Sequence, residues 1–371
     1  MEFDKKELER YSRHFVLPQF GVEGQQKLKA ASVLVVGAGG LGCPVLQYLT
    51  AAGVATIGII DYDKVSESNL QRQILYGSED IGKTKSTQAA KKLNQLNPFV
   101  KTIPINSRIN ADNAFDLLSQ FDIVVDCTDN FPTRYLLNDA CVLLNKPLVY
   151  GSIFRYEGQV SVFNLKNGPN YRDLYPAPPD PGTVPDCEAG GVLGVLPGII
   201  GCLQANEVLK IIVGIGDPLS GKLLILDTLT LETNIIDFPN RNQRELIKKL
   251  IDYDAFCGIK PTGETEMKEV TVEELKKLKD AGEDFQLIDV REAYEIEICN
   301  IDGECIPLSE IPHSIDKISR DKKVIIHCRS GSRSANTVKW LEKNHSFDNL
   351  YNLKGGILAW ADQMDPTMTK Y

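Results

Sequence analysis

The chain's 371 residues exceed one average domain, and 43% hydrophobic with 25% charged residues excludes a disordered or low-complexity protein. A formal net charge of −9 speaks against a nucleic-acid surface, although it leaves room for a local basic pocket. Nine cysteines, odd in number and irregular in spacing, make no disulfide framework, so a reducing cytoplasm is the expected setting.

The opening MEFDKKELERYSRHF is charged throughout and lacks the apolar core of a signal peptide. Strands are then expected at 32–36 (SVLVV), 56–60 (TIGII), 100–105 and 121–126 (FDIVVD), with helices at 41–53, 83–97 and 111–119 between them. Such alternation predicts a parallel sheet covered on both faces. From Pro147 the runs lengthen, and 148–153 and 159–164 read as antiparallel additions at the sheet edge. Residues 167–191 are rich in proline and glycine and read as an extended loop. The apolar stretch 190–202 is too short to span a bilayer, which leaves a buried helix and no membrane association. A polar linker, GIKPTGETEMK, spans 258–268. Beyond it, strands at 285–290, 323–327 and 350–353 alternate with helices at 272–281 and 333–344, giving a smaller α/β domain.

Within this frame GAGGLG, Gly37 to Gly42 (with Gly39 and Gly40 inside it), follows the first strand and opens a helix. Glycines there permit a tight turn and close backbone approach to phosphate. Asp61 ends the next strand, where a carboxylate can hold ribose hydroxyls. The glycine loop alone fits a nicotinamide-dependent oxidoreductase as readily as any other nucleotide enzyme. The residues beyond Asp61 are less like those of a dehydrogenase: Asp63, Ser68, Asn69 and Arg72 crowd the strand end, Lys85 opens a helix, and Asp126, Asp129 and Asn130 come after the fourth strand. Cations for a polyphosphate and a carboxylate suited to Mg²⁺ thus converge on one sheet edge. Cys187 lies in the proline-rich loop just before a helix, a position that favours an ionised thiol over an inert buried one. In HCRSGSRS, 327–334, Cys328 sits between a strand and a helix start, where N–H groups and the helix dipole favour an anion. Phosphate and sulfur chemistry both use such a cradle.

Several motifs in fixed order (RYSRH at 10–14, GAGGLG, the aspartates at 61 and 63, SNLQRQ at 68–73, Lys85, DCTDN, and EAGGVLGVLPGIIGCLQANEVLK at 188–210) resemble the MoeB/ThiF enzymes, relatives of the ubiquitin-activating enzymes. That resemblance implies adenylation of the C-terminal glycine of a ubiquitin-like sulfur carrier of the MoaD or ThiS type, with ATP and Mg²⁺. It assigns Gly40 and its neighbours to the phosphates and Asp61 to the ribose. Asn69, Arg72 and Lys85 fall to the phosphate chain, and Asp129 to the metal. Arg13 would reach across a homodimer interface, and Cys187 would be a crossover-loop cysteine able to link covalently to the carrier. The family often holds a structural zinc between two CxxC pairs. Here Asn170, Asp173, Asp254 and Cys257 stand at the expected places, a poor zinc set, so zinc is expected to be absent.

LIDVREAYEIEICNI (287–301), HCRSGSRS and NLKGGILAWA (352–361) resemble a rhodanese domain. By that resemblance the four-residue spacing between Cys328 and Arg333 suits sulfur, whereas the five-residue loop of the tyrosine phosphatases suits phosphate. Cys328 would then carry a persulfide, cradled by Arg329, Ser330, Gly331, Ser332 and Arg333. The implied fold is α/β throughout. It has a Rossmann-like adenylation domain with a mixed, mainly parallel sheet (1–257), then the linker, then a smaller α/β rhodanese domain (269–371). A cysteine desulfurase is the expected type of sulfur donor, and molybdopterin synthesis, thiamine synthesis or tRNA thiolation the expected destination.

Overall fold

In the computed structural model, which describes residues 2–179, 191–258 and 267–371, strand β1 (Ser32–Val36) lies near the middle of an eight-stranded sheet. Parallel neighbours are β2 (Thr56–Ile60), β3 (Lys101–Ile105), β4 (Ile123–Asp126) and β5 (Leu148–Phe154). Antiparallel β6 (Glu157–Phe163), β7 (Lys222–Asp227) and β8 (Thr233–Asp237) extend it, in the order β3-β2-β1-β4-β5-β6-β7-β8. The order reverses between β1 and β4, so the loops after β1, β2 and β4 open on one crevice. β1 and β4 are almost wholly buried, as expected of strands covered on both faces.

Helices Gly42–Ala52 and Lys85–Leu96 cover one face and Phe131–Leu143 the other. The helix read from 190–202 runs instead from Val195 to Val213. At 19 residues it is long and apolar enough to cross a bilayer, so the length argument for its burial fails. Packing supplies the reason: Leu196, Ile200, Ala205 and Val208 join the core on the glycine-loop side. Gly201 lies so close to the Leu41 carbonyl that a Cβ would sit 2.5 Å from it.

The chain divides into two compact units, the second taking over at Gly258. Its sheet is all parallel, ordered β11-β10-β12-β13-β9, from β9 (Glu269–Val270), β10 (Phe285–Asp289), β11 (Glu304–Cys305), β12 (Lys323–His327) and β13 (Leu350–Leu353). Helices Val272–Ala281, Ser332–His345 and Gly356–Gln363 cover it.

Candidate functional site

Two polar sites emerge, one in each unit. In the first, Gly37 turns at φ +95, where a Cβ would lie 2.6 Å from the Cys127 carbonyl. A Cβ on Gly42 would strike the Gly37 carbonyl at 2.0 Å. Only glycine permits this turn, which brings the first N–H groups of helix Gly42–Ala52 to the crevice. Tyr76, buried, donates its hydroxyl to the Ala38 carbonyl at 2.8 Å and fixes the loop from below.

Asp61 is 8% exposed, and its two oxygens accept the Ala38 and Asp63 N–H groups, both at 2.8 Å. Burial raises its pKa above the ordinary carboxylate value. Lys85 is buried at the start of its helix and pairs with Asp63 at 3.0 Å. Arg72 lies beside Gly40, its Cγ 3.7 Å from a Cβ built there, and donates to the Ser68 carbonyl at 3.0 Å. Asn69 accepts the Ser66 N–H, and the Ser68 and Ser66 hydroxyls meet at 3.1 Å, so this short turn is internally braced. Asp129 is exposed between β4 and helix Phe131–Leu143, while Asn130 caps that helix by accepting from Thr133 N–H. The structure therefore gathers Gly37, Gly39, Gly40, Asp61 and Arg72 around one loop, with Lys85 joined to it through Asp63.

Gln73 went unassigned in the sequence. It is 4% exposed, its amide nitrogen is 3.6 Å from a Cβ built on Gly39, and its carbonyl oxygen is buried without a hydrogen-bond partner. Its place inside SNLQRQ was the available signal. Arg13 is not brought to this site: neighbouring Tyr11 packs on Gly53, at the far end of helix Gly42–Ala52. Eleven residues at about 1.5 Å each separate that end from the glycine loop. Cys187 lies outside the described residues.

The residues at the expected zinc positions do not fit that ion. Asn170 caps helix Tyr171–Leu174, and Asp173, fully buried, accepts four hydrogen bonds: from Asn170 N and Nδ2, Arg241 N and Gln243 N. Asp254 pairs with Arg108 at 3.4 Å. Cys257 packs among Tyr135 and its aromatic neighbours, and burial pushes its thiol up to about 11. Close by, Arg172 grips Asp139 with two bonds of 2.7 Å, and Tyr253 donates to the same carboxylate at 2.8 Å. A buried polar network stands here, its carboxylates already occupied. Asp173→Ala strands three backbone N–H groups and should cost about 3 kcal/mol of stability, read as a lower urea midpoint; an unchanged midpoint would show the network to be dispensable.

In the second unit Cys328 follows β12 directly and is wholly buried. Its sulfur accepts from Gly331 N–H at 3.2 Å and Ser334 N–H at 3.4 Å. Ser334 Oγ is also 3.4 Å away, but its single proton is shared with Asn352 Oδ1 at 2.7 Å and the Gly331 carbonyl at 3.1 Å. Loop carbonyls point elsewhere: those of Cys328 and Arg329 accept from Ile357 and Leu358 N–H, at the start of helix Gly356–Gln363. With carbonyls drawn away, N–H groups remain to face the sulfur, at the N-terminus of the 14-residue helix Ser332–His345. Gly356 permits this contact, since a Cβ there would strike Cys328 O at 2.4 Å.

Arg333 is buried and joined to Glu295 by two bonds of 2.7 Å, so it lends charge to the loop without touching the sulfur. Arg329 donates Nε to the Tyr371 main-chain oxygen at 2.6 Å. Ser330 and Ser332 are exposed, and the backbone N–H groups that reach the sulfur are those of Gly331 and Ser334. Ser334 was missed because its residue type is unremarkable in a helix's first turn, and only the fold aims it at Cys328. His327, beside the nucleophile, is fully buried and 3.5 Å from Asp289; burial lowers its pKa to about 4, so it stays neutral at pH 7. Cys299 packs 3.8 Å from Arg291, and Cys305 is exposed.

Comparison with known proteins finds a match for each unit. Residues 11–247 match the ThiF family and residues 271–363 the rhodanese-like domain. The probable adenylyltransferase/sulfurtransferase MoeZ of Mycobacterium tuberculosis is 44% identical over 378 residues, spanning 99% of this chain and 96% of that protein. The adenylyltransferase and sulfurtransferase MOCS3 of Xenopus laevis is 41% identical over 399 residues, spanning 98% of this chain and 88% of that one. Among solved structures, E. coli MccB crystallised with ATP has a TM-score of 0.54 at 24% identity, covering 64% of this chain and 73% of its own, a likeness of fold alone. By both the family match and the full-length relatives, the chain belongs to the ThiF family, with a rhodanese-like domain joined to its C-terminal side.

Proposed function

We infer that this chain is an ATP-dependent adenylyltransferase and a sulfurtransferase acting on the C-terminal glycine of a ubiquitin-like sulfur carrier. One observation carries the reading: a nucleotide loop framed by Asp61, Gln73 and Arg72 shares a chain with a thiol, Cys328, set in an N–H cradle. MoeZ and MOCS3, similar over nearly the whole length, bear names pairing the same two activities.

The chemistry is built from the residues. The carrier's carboxylate attacks the α-phosphate, and negative charge builds on the phosphoryl oxygens. Arg72, with one described hydrogen bond, keeps most of its donors for those oxygens, and Lys85 lies one side chain away through Asp63. Pyrophosphate leaves and an acyl-adenylate forms. Mg²⁺ binds enzymes through one or two carboxylates plus substrate phosphates, a modest need that the exposed Asp129 meets; bound there, it would offset phosphate charge. A persulfide on Cys328 then supplies sulfur by attack on the acyl group, directly or after its transfer to Cys187. AMP leaves in the direct route; by way of Cys187, AMP leaves on the transfer and the Cys187 thiolate on the persulfide's attack, and in both routes a thiol must cleave the remaining S–S bond to free the thiocarboxylate.

The carrier is proposed to be MoaD- or ThiS-like, serving molybdopterin or thiamine synthesis or tRNA thiolation, and the donor a cysteine desulfurase. The proposed setting is the cytoplasm, where thiols stay reduced; every described cysteine is free. Arg13 lies far from its own chain's glycine loop, which supports a homodimer in which it completes the partner's site. Incubating candidate carriers with the chain, ATP and a persulfide donor should replace one carrier oxygen with sulfur, read by mass spectrometry. Native spectra of the same mixture read the dimer. A carrier mass unchanged across MoaD- and ThiS-type candidates would sink the reading.

A further inference from the structure

Tyr371 lies beyond the stretch matched by the rhodanese-like family, which ends at 363, yet it touches the charged groups around the Cys328 loop on two sides. Its main-chain oxygen accepts Arg329 Nε at 2.6 Å, and its ring lies 5.5 Å from the Arg329 guanidinium and 5.9 Å from that of Arg291. Its hydroxyl accepts from Arg291 Nη1 at 2.7 Å and donates to Glu295 Oε1 at 3.0 Å. Burial pushes that hydroxyl up to about 12, so the proton it donates stays in place at neutral pH. Glu295 holds Arg333 through both oxygens, and Arg291 is anchored to Asp289. One residue thus joins Arg329 directly and Arg333 at one remove.

We propose that Tyr371 is a positioning residue for sulfur transfer, latching Arg329 through its main-chain oxygen and ring, and Arg333 through Glu295. The reason lies in where a persulfide carries its charge. The outer sulfur sits about 2 Å beyond Cys328 Sγ, one S–S bond away. The N–H groups of Gly331 and Ser334 already serve the inner sulfur at 3.2 and 3.4 Å. Charge on the outer atom, and on an anionic sulfur donor, must be met by cations farther out. An unlatched arginine loses rotamer entropy each time it is ordered around a reacting anion. Latching both beforehand removes that ordering from the reaction.

This inference rests on Cys328 being the sulfur-carrying thiol, and its test keeps the two apart. The probe is thiosulfate as donor and cyanide as acceptor, with the full-length chain. The Cys328 thiolate attacks the outer sulfur of thiosulfate, and sulfite leaves with the bonding pair. Cyanide then removes that sulfur as thiocyanate and returns the thiolate. Tyr371→Phe keeps the ring and the main-chain oxygen but loses the bridge to Glu295 and Arg291. With two hydrogen bonds lost, kcat should fall about tenfold, with KM for thiosulfate within about twofold. Tyr371→Ala also frees the face of Arg329 and should raise KM for thiosulfate about tenfold. In the Tyr371→Ala background, which keeps the main-chain oxygen at 371, Arg329→Ala should cost less than it does in the wild-type chain, because part of the latch is already gone. A purely structural role would give additive losses in that double variant. Additivity, or wild-type constants for Tyr371→Phe, overturns the latch while leaving the sulfurtransferase reading intact. A folded wild-type chain that forms no thiocyanate overturns both. Should Tyr371→Ala fail to fold, Tyr371→Phe and its kcat alone decide.

Discussion

Cys328→Ser should leave ATP-dependent adenylation of the carrier intact and lower sulfur transfer by about three orders of magnitude or more, the scale expected when a nucleophile is removed. Serine is close in size, and the site that would hold it is already built from Gly331 and Ser334 N–H groups, so the fold has no reason to change. A hydroxyl accepts those hydrogen bonds but forms no persulfide. The measurement is paired: carrier-dependent ATP–pyrophosphate exchange beside thiocarboxylate yield. Normal thiocarboxylate from a persulfide donor in Cys328→Ser would falsify the role given to that thiol.

Arg72→Ala should do the reverse. Removing a guanidinium aimed at developing phosphoryl charge costs about a hundredfold to a thousandfold in rate. Arg72 is suited to that task, being packed against Gly40 at the glycine loop and fixed through Ser68. Asp129→Ala should show the same selectivity, with a loss that grows as Mg²⁺ is lowered. Thiosulfate–cyanide turnover at Cys328 should persist in both variants. If pyrophosphate exchange survives Arg72→Ala within about threefold, the phosphate chain is held by other groups and the assignment fails.

Much of the parallel core was legible because its signals are local. β1, β2, β12 and β13 lie where their apolar runs predicted, and helix Gly42–Ala52 ends at Gly53 in the left-handed conformation that glycine favours. β7 escaped notice because KLLILD is a continuous apolar run, equally readable as part of a helix, and β9 and β11 are two residues each, too short for any period. The nucleotide loop could be read because glycine, aspartate and arginine fall in fixed order. The surroundings of Cys328 could not be. Ser334 is aimed by helix packing, and Tyr371 meets Arg329 from 42 residues away, a contact no local pattern announces. The same holds for Asp173, whose four hydrogen bonds include partners near residue 242.

The order β11-β10-β12-β13-β9 places the second unit's first strand at an edge, paired only with its last. During synthesis, β9 emerges some eighty residues before its neighbour Leu350–Leu353 exists. The helix beginning at Gly356, whose N–H groups turn the Cys328 and Arg329 carbonyls away from the sulfur, is made later still. A nascent chain that has passed residue 334 therefore carries its thiol and the N–H groups that face it before the helix that turns the loop carbonyls away. The timing of translation, as well as the finished fold, decides when that thiol is enclosed.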